Sequence, residues 1–174
     1  TCCGITFIGL PYLAPRTATP STVEDKAKNE VQKFRDENPS FSDASVKVYY
    51  PTDWERDYTD YDYVVATFNL VDDETGTNIV TFNVSKESLA NSGVTTASRY
   101  YDLSYDGLVK AYPKAQFETK KQSLKIDGED AYEHVVVYPS TTGASVKQRQ
   151  VITVVGNTGY VFTYSAVVDD YDTY

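Results

Sequence analysis

His134 is the single histidine of the chain, and Cys2 and Cys3 are its two cysteines. A histidine base needs a nucleophile or carboxylate beside it, and a transition-metal site needs further nitrogen or sulfur ligands. With no second histidine and two adjacent cysteines near one terminus, neither set closes. That cysteine pair cannot staple the fold either, because a bridge between neighbours is strained and no distant cysteine exists. Oxygen ligands are more plentiful, since Glu55, Asp57, Asp60 and Asp62 crowd around Arg56. Carboxylates at this density suit calcium, but the regular glycine-containing calcium loop is missing, and a solvated loop is the simpler account. Asp57, Asp60, Asp62 and His134 are therefore candidate metal ligands with no metal assigned. No Gly-x-Ser-x-Gly elbow, phosphate loop or dinucleotide fingerprint occurs. No catalytic or cofactor-binding residue is assigned, no bound cofactor is expected, and the chain reads as a non-enzyme.

Two other groups point to partners. Ile5, Phe7, Ile8, Leu10 and Leu13 make an apolar leader that Pro11, Pro15 and Pro20 interrupt. An exposed apolar segment of this kind is an interaction signal. Lys147 and Arg149 alternate along one strand and could present a small positive edge, although edge charges also guard a sheet against misassociation.

The whole chain bounds these readings. Its 174 residues carry a net charge of -9, with 16 Lys plus Arg against 25 Asp plus Glu. No basic stripe is available for phosphates, so nucleic acid is not expected as a partner. A hydrophobic share of 41% and a charged share of 24% are globular in type. Sixteen tyrosines stand out, and tyrosine serves both half-buried sheet faces and interfaces. No stretch is apolar enough to span a bilayer as a helix.

The elements that must position these residues follow from pattern. Four strands, Gln116 to Ile126, Ala131 to Tyr138, Lys147 to Val155 and Tyr160 to Ala166, form an antiparallel meander. Its turns are assigned to Asp127-Gly128, Thr142-Gly143 and Asn157-Thr158-Gly159. Earlier strands are expected over Phe41 to Tyr50, Tyr63 to Leu70 and Asn78 to Val84. Ser21 to Arg35 reads as a helix with a Ser21/Glu24 capping box. Thr96 to Tyr112 reads as a second helix, with Ala97, Tyr101, Tyr105, Leu108 and Tyr112 in one stripe and Pro113 at its end. Asn83-Val84-Ser85 matches the glycosylation triplet, a short pattern that arises by chance. Residues 1–20 are read as an extended leader, 21–40 as a helical segment and 41–174 as the main domain, with no closing C-terminal helix in the text.

In this order the chain resembles the PsbP family. Tyr49-Tyr50-Pro51-Thr52-Asp53-Trp54, Asn78-Ile79-Val80-Thr81, Gly93 before the second helix, and Ile126-Asp127-Gly128 leading to Tyr132 are similar to that family's short motifs. Lys147-Gln148-Arg149-Gln150 and Gly159-Tyr160-Val161-Phe162 resemble its last two strands. The resemblance implies an α/β/α sandwich, with a central antiparallel sheet flanked by helices. It further implies a non-enzymatic extrinsic subunit that binds photosystem proteins at the lumenal side of a thylakoid membrane. Such a subunit supports retention of calcium and chloride, and its N-terminal extension takes part in docking. The alternative is a bacterial extracytoplasmic lipoprotein of the same fold, in the cell envelope, acting as a binding or assembly module. The acidic, tyrosine-containing end departs from the family's closing helix.

Overall fold

The computed structural model describes residues 5–8, 20–58, 61–140 and 143–174, giving the backbone path alone for 5–8 and 20–24. Two units, Thr1–Trp54 and Glu55–Tyr174, each gather their own contacts.

The first unit contains β1 (Ile5–Ile8), α1 (Pro20–Glu37), β2 (Ser40–Ser42) and β3 (Val46–Tyr49). β3 is the middle of a three-stranded sheet, parallel to β1 and antiparallel to β2. The single strand expected over Phe41 to Tyr50 is in fact two, because Asp43 turns the chain. Its Oδ1 accepts from the amides of Ser45 and Val46, both at 2.7 Å, an Asx turn that substitutes for ladder bonds. Val46 and Val48 then point the same way and are buried. α1 begins at Pro20, where a missing N–H costs nothing, and Asn38 closes it by donating from Nδ2 to the Phe34 carbonyl at 2.8 Å. The Ser21/Glu24 capping pair lies outside the described side chains.

The second unit is organised by a seven-stranded antiparallel sheet. Its strands are β4 (Glu55–Asp57), β5 (Val64–Val71), β6 (Asn78–Ser88), β7 (Gln116–Ile126), β8 (Glu129–Tyr138), β9 (Val146–Val155) and β10 (Thr158–Val167). Their order across the sheet is β4-β5-β6-β10-β9-β8-β7, so β4 and β7 are the two edges. α2 (Ala97–Ala111) lies on β8 and β9. The α/β class with a central antiparallel sheet and helical flank is as the sequence implies.

Turn chemistry explains the meander. Asp127 and Gly128 take φ of 50° and 90°, giving the two-residue connection that an Asp-Gly pair favours between right-twisted strands. The last turn differs from expectation: Gly156-Asn157 forms it, with Gly156 at φ 59°, and β10 already starts at Thr158. Gly159 instead lies within the strand. A Cβ there would meet the Tyr100 ring at 2.5 Å, so glycine is the residue that lets the helix approach the sheet. Glu55–Asp57, expected as loop, is a short edge strand that pairs Glu55 with Asn69. β6 runs to Ser88, beyond the expected Val84, because β10 continues to pair with it as far as Thr158.

α2 matches its expected bounds. Thr96 is the N-cap, accepting from the Arg99 amide at 3.3 Å, and Tyr112 is the C-cap ahead of Pro113. Tyr100 and Tyr101 are buried, and Ile152, Leu89 and Val94 complete the cluster beneath the helix. On the other side of the sheet, cross-strand register lines up Ala66, Val84, Phe162 and Val151, all buried. Stripping such side chains from water is the main stabilising term, on the order of 2 kcal/mol for each large one.

Candidate functional site

The least ordinary environment in the second unit surrounds His134. It is fully buried, and neither Nδ1 nor Nε2 has a hydrogen-bond partner. Three rings enclose it edge-on: Phe117 at 5.4 Å, Tyr101 at 5.5 Å and Tyr105 at 6.3 Å between centroids. Burial pushes the imidazole pKa down to about 4, a shift that the neighbouring Gln150 amide partly opposes. The ring is therefore neutral near pH 7.

The backbone opposite His134 is irregular. Thr119 pairs with Val135 and Gln122 with Glu133, so Lys120 and Lys121 together face the one residue between. This is a β-bulge on an edge strand, and Lys121 takes φ 47°, a left-handed conformation that a lysine seldom adopts. The Tyr101 hydroxyl accepts from the Lys121 amide at 2.9 Å, and Lys121 Nζ meets Asp102 at 2.6 Å. Lys120 Nζ stands 5.4 Å from the Phe117 ring centre and 5.6 Å from that of Tyr105. One helical tyrosine thus lines the imidazole box and holds the bulge. Tyr101→Phe removes that acceptor and should destabilise the protein by about 1 kcal/mol. Chemical denaturation measures this, and faster hydrogen exchange at the Lys121 amide localises it; unchanged exchange would separate the hydroxyl from the bulge.

Lys147 and Arg149 lie on the opposite face of the sheet. Arg149 donates from Nε at 2.8 Å and from Nη2 at 2.5 Å to Glu133 Oε2. Lys147 Nζ is 2.9 Å from Glu118 Oε2 and 4.4 Å from the centre of the Tyr171 ring. Both cations are thus held by carboxylates of neighbouring strands. Tyr171 packs edge-on against Tyr164 at 5.2 Å, and burial pushes both phenols up to about 12.

The remaining sequence candidates are scattered. Asp57 is on edge strand β4, Asp62 is beside the start of β5, and Asp60 is outside the described residues. Among the described residues no group of three or more His, Cys, Asp or Glu side chains is gathered for a metal. Ile5, Phe7 and Ile8 are on β1 with their side chains undescribed, while Leu10 and Leu13 lie outside the described residues. Asn83 sits in the middle of β6, half-buried between Thr67 and Thr163, which is unlike a glycosylated surface loop. Among the described residues no nucleophile is paired with His134, whose surroundings are aromatic.

A feature that residue-by-residue reading passed over is an exposed tyrosine group near the β4 edge. Tyr58, Tyr61 and Tyr63 are 79%, 53% and 61% exposed. Tyr61 and Tyr63 lie 6.0 Å apart, and the Arg56 guanidinium covers the Tyr58 ring at 4.8 Å. The signal was the density of tyrosine between two acidic turns.

The second unit therefore belongs to the class of antiparallel sheets carrying a helix on one face, with an aromatic box and no catalytic constellation among the described residues. No protein-family model matches the chain, and no curated protein matches it. Solved structures do. LpqN of Mycobacterium tuberculosis, involved in cell envelope biogenesis, aligns at TM-score 0.54 and 16% identity, covering 71% of each chain. PA94 of Pseudomonas aeruginosa, of unknown function, aligns at 0.52 and 14% identity over 77% of this chain and 85% of its own. Both show a shared fold. Cyanobacterial PsbP of Synechocystis gives 0.49 at 14% identity over 73% of this chain and 77% of its own.

Proposed function

We propose that the chain is a non-enzymatic extracytoplasmic binding or assembly module that docks a partner protein through the tyrosine group at the β4 edge. The exposure of Tyr58, Tyr61 and Tyr63 carries this reading. Large rings left in water retain burial energy for an interface, and tyrosine adds a polar tip that tolerates solvent when unbound. The carboxylates of Asp57 and Asp62 beside them favour a partner that presents Lys or Arg. The fold shared with LpqN supports an envelope setting. Among the described residues no helix is long and apolar enough to cross a membrane.

The resemblance in sequence supplies a finer reading: a photosystem subunit as the partner, in the thylakoid lumen, with the leader residues Ile5, Phe7, Ile8, Leu10 and Leu13 taking part in docking. One experiment addresses both settings. Wild-type chain is immobilised and exposed to native detergent-solubilised membranes, and every retained chain is identified by mass spectrometry. Replacing Tyr58, Tyr61 and Tyr63 together with serine should lower recovery of the specific partner about tenfold, as loss of an interface anchor does. Equal recovery by the triple variant rejects the tyrosine edge. Loss only on removal of residues 1–20 transfers docking to the leader, and photosystem chains among those retained favour the lumenal setting over the envelope.

A further inference from the structure

The sheet face that carries α2 has an unusual composition beyond the helix. Cross-strand register places Thr67, Asn83, Thr163, Gln150 and His134 in one transverse row over five strands. Directly opposed residues in antiparallel strands share a face, so the row is a continuous band. The next row, two residues along each strand, is Asn69, Thr81, Ser165 and Gln148. Every side chain in the eight positions ahead of His134 is an amide or a hydroxyl. None of the eight is charged, although 24% of the chain is, and the two rows end on edge strand β4 with Asp57 opposite Thr67 and Glu55 opposite Asn69.

A strand face that only meets water ordinarily carries Lys, Glu and Arg, and edge strand β7 does so on this face with Lys120 and Lys125. Asparagine in addition lowers strand propensity, yet Asn69 and Asn83 sit on interior strands. The band is therefore selected for hydrogen bonding without charge. Its internal bonds use little of its capacity. Thr81 donates to Asn69 Oδ1 at 2.8 Å, and Gln150 Nε2 approaches Gln148 Oε1 at 3.5 Å. An amide offers two donors and an acceptor with two lone pairs, so both glutamines, Asn83 and the hydroxyls of Thr67 and Ser165 keep groups to spare. All five are partly exposed. Beyond the second row, Tyr138 continues the same face of β8, and the 56% exposed Tyr112 packs edge-on against it at 5.0 Å. A ring face bordering an uncharged hydrogen-bonding surface suits a sugar, whose C–H face stacks while its hydroxyls bond.

We infer that this face binds a neutral, polyhydroxylated ligand, a glycan segment lying across β5, β6, β10 and β9 with one sugar against Tyr112. A net charge of -9 selects against anionic glycans. The band adjoins the tyrosine edge where Thr67 pairs with Asp57, but Asn83 on β6, Gln150 on β9 and Tyr112 at the end of α2 lie away from that edge, so either can fail alone.

The test is an array of neutral oligosaccharides, acetamido sugars included, with sulfated and carboxylated ones alongside, followed by titration calorimetry on the best binder. Wild-type chain should retain neutral members only. Asn83→Ala with Gln150→Ala should weaken the best of them about tenfold, since two lost hydrogen bonds amount to that ratio. Tyr112→Ala, remote from those amides, should also weaken it while leaving the thermal midpoint near wild type, which guards against misfolding as the cause. Binding confined to anionic members, no binding at all, or affinity unchanged in both folded variants overturns the inference.

Discussion

Replacing Arg149 with methionine is expected to cost about 3 kcal/mol of stability, the low end for a buried charge stripped of its partner. Glu133 is the reason. Its side chain is only 12% exposed, and Arg149 donates two hydrogen bonds to its Oε2. Without the guanidinium a desolvated carboxylate remains on the apolar side of the sheet, next to Val151 and Phe162 in the cross-strand row. Glu133→Gln should cost less, about 1 kcal/mol, because Arg149 is 33% exposed and water can take over its donors. The asymmetry is the point of the prediction: an exposed pair would give two small and similar losses. Pairing Arg149→Met with Glu133→Leu should recover most of the stability, as apolar replacement of a buried pair commonly does. Denaturant unfolding of all three at low and high salt gives the answer. Two equal losses under about 0.5 kcal/mol that vanish in salt would show that solvent screens this pair.

Glu133 also illustrates what the sequence made legible. Hairpin chemistry and alternation located the meander to within two residues at nearly every strand end, because Asp127-Gly128 and the Val/Ile runs are local signals. α2 was equally readable from its tyrosine spacing, Thr96 and Pro113. Pairings between distant segments were not. That Lys147 and Arg149 meet Glu118 and Glu133 depends on register across β7, β8 and β9, which no local pattern states. The third turn, expected at Asn157-Thr158-Gly159, falls earlier at Gly156-Asn157, and Gly159 lies in β10, where the approach of Tyr100 requires it. The division of Phe41 to Tyr50 into two strands followed from a single aspartate accepting two amides.

The irregular edge strand left no trace of that kind. β7 shifts register twice, between Phe117 and Thr119 and between Thr119 and Gln122, and the two shifts together restore its parity: Phe117 pairs with Val136 on the α2 face and Leu124 with Ala131 on the other. The second shift, at Lys120-Lys121, lies across from His134. The exposed tyrosines and the uncharged rows were hard to see, for opposite reasons. The first depend on where a loop is left bare, the second on five strands lying side by side.

The aromatic box around His134 leads to the second large effect, a stability difference that depends on pH. The ordinary histidine pKa of 6.5 falls to about 4 in the folded chain. The unfolded chain therefore binds the extra proton first as pH drops. His134 contributes no such penalty above about 6.5; stability is lost progressively from there and the loss levels off below about 4. A shift of this size corresponds to about 3 kcal/mol. His134→Phe and His134→Leu abolish the titration. Both also remove two ring nitrogens that have no partner, so at pH 7 the better-fitting variant should equal or exceed wild type. Two replacements are used because phenylalanine can overpack the space between Tyr101, Tyr105 and Phe117, whereas leucine is smaller. The quantity to follow is the difference between wild type and variant in denaturant-derived stability from pH 7 to pH 4, since carboxylates elsewhere titrate in both. That difference should widen by about 3 kcal/mol in favour of the variants. Curves that stay parallel, or an imidazole resonance titrating near 6.5 in the folded protein, would mean that His134 is reached by water and that the aromatic box does not seal it.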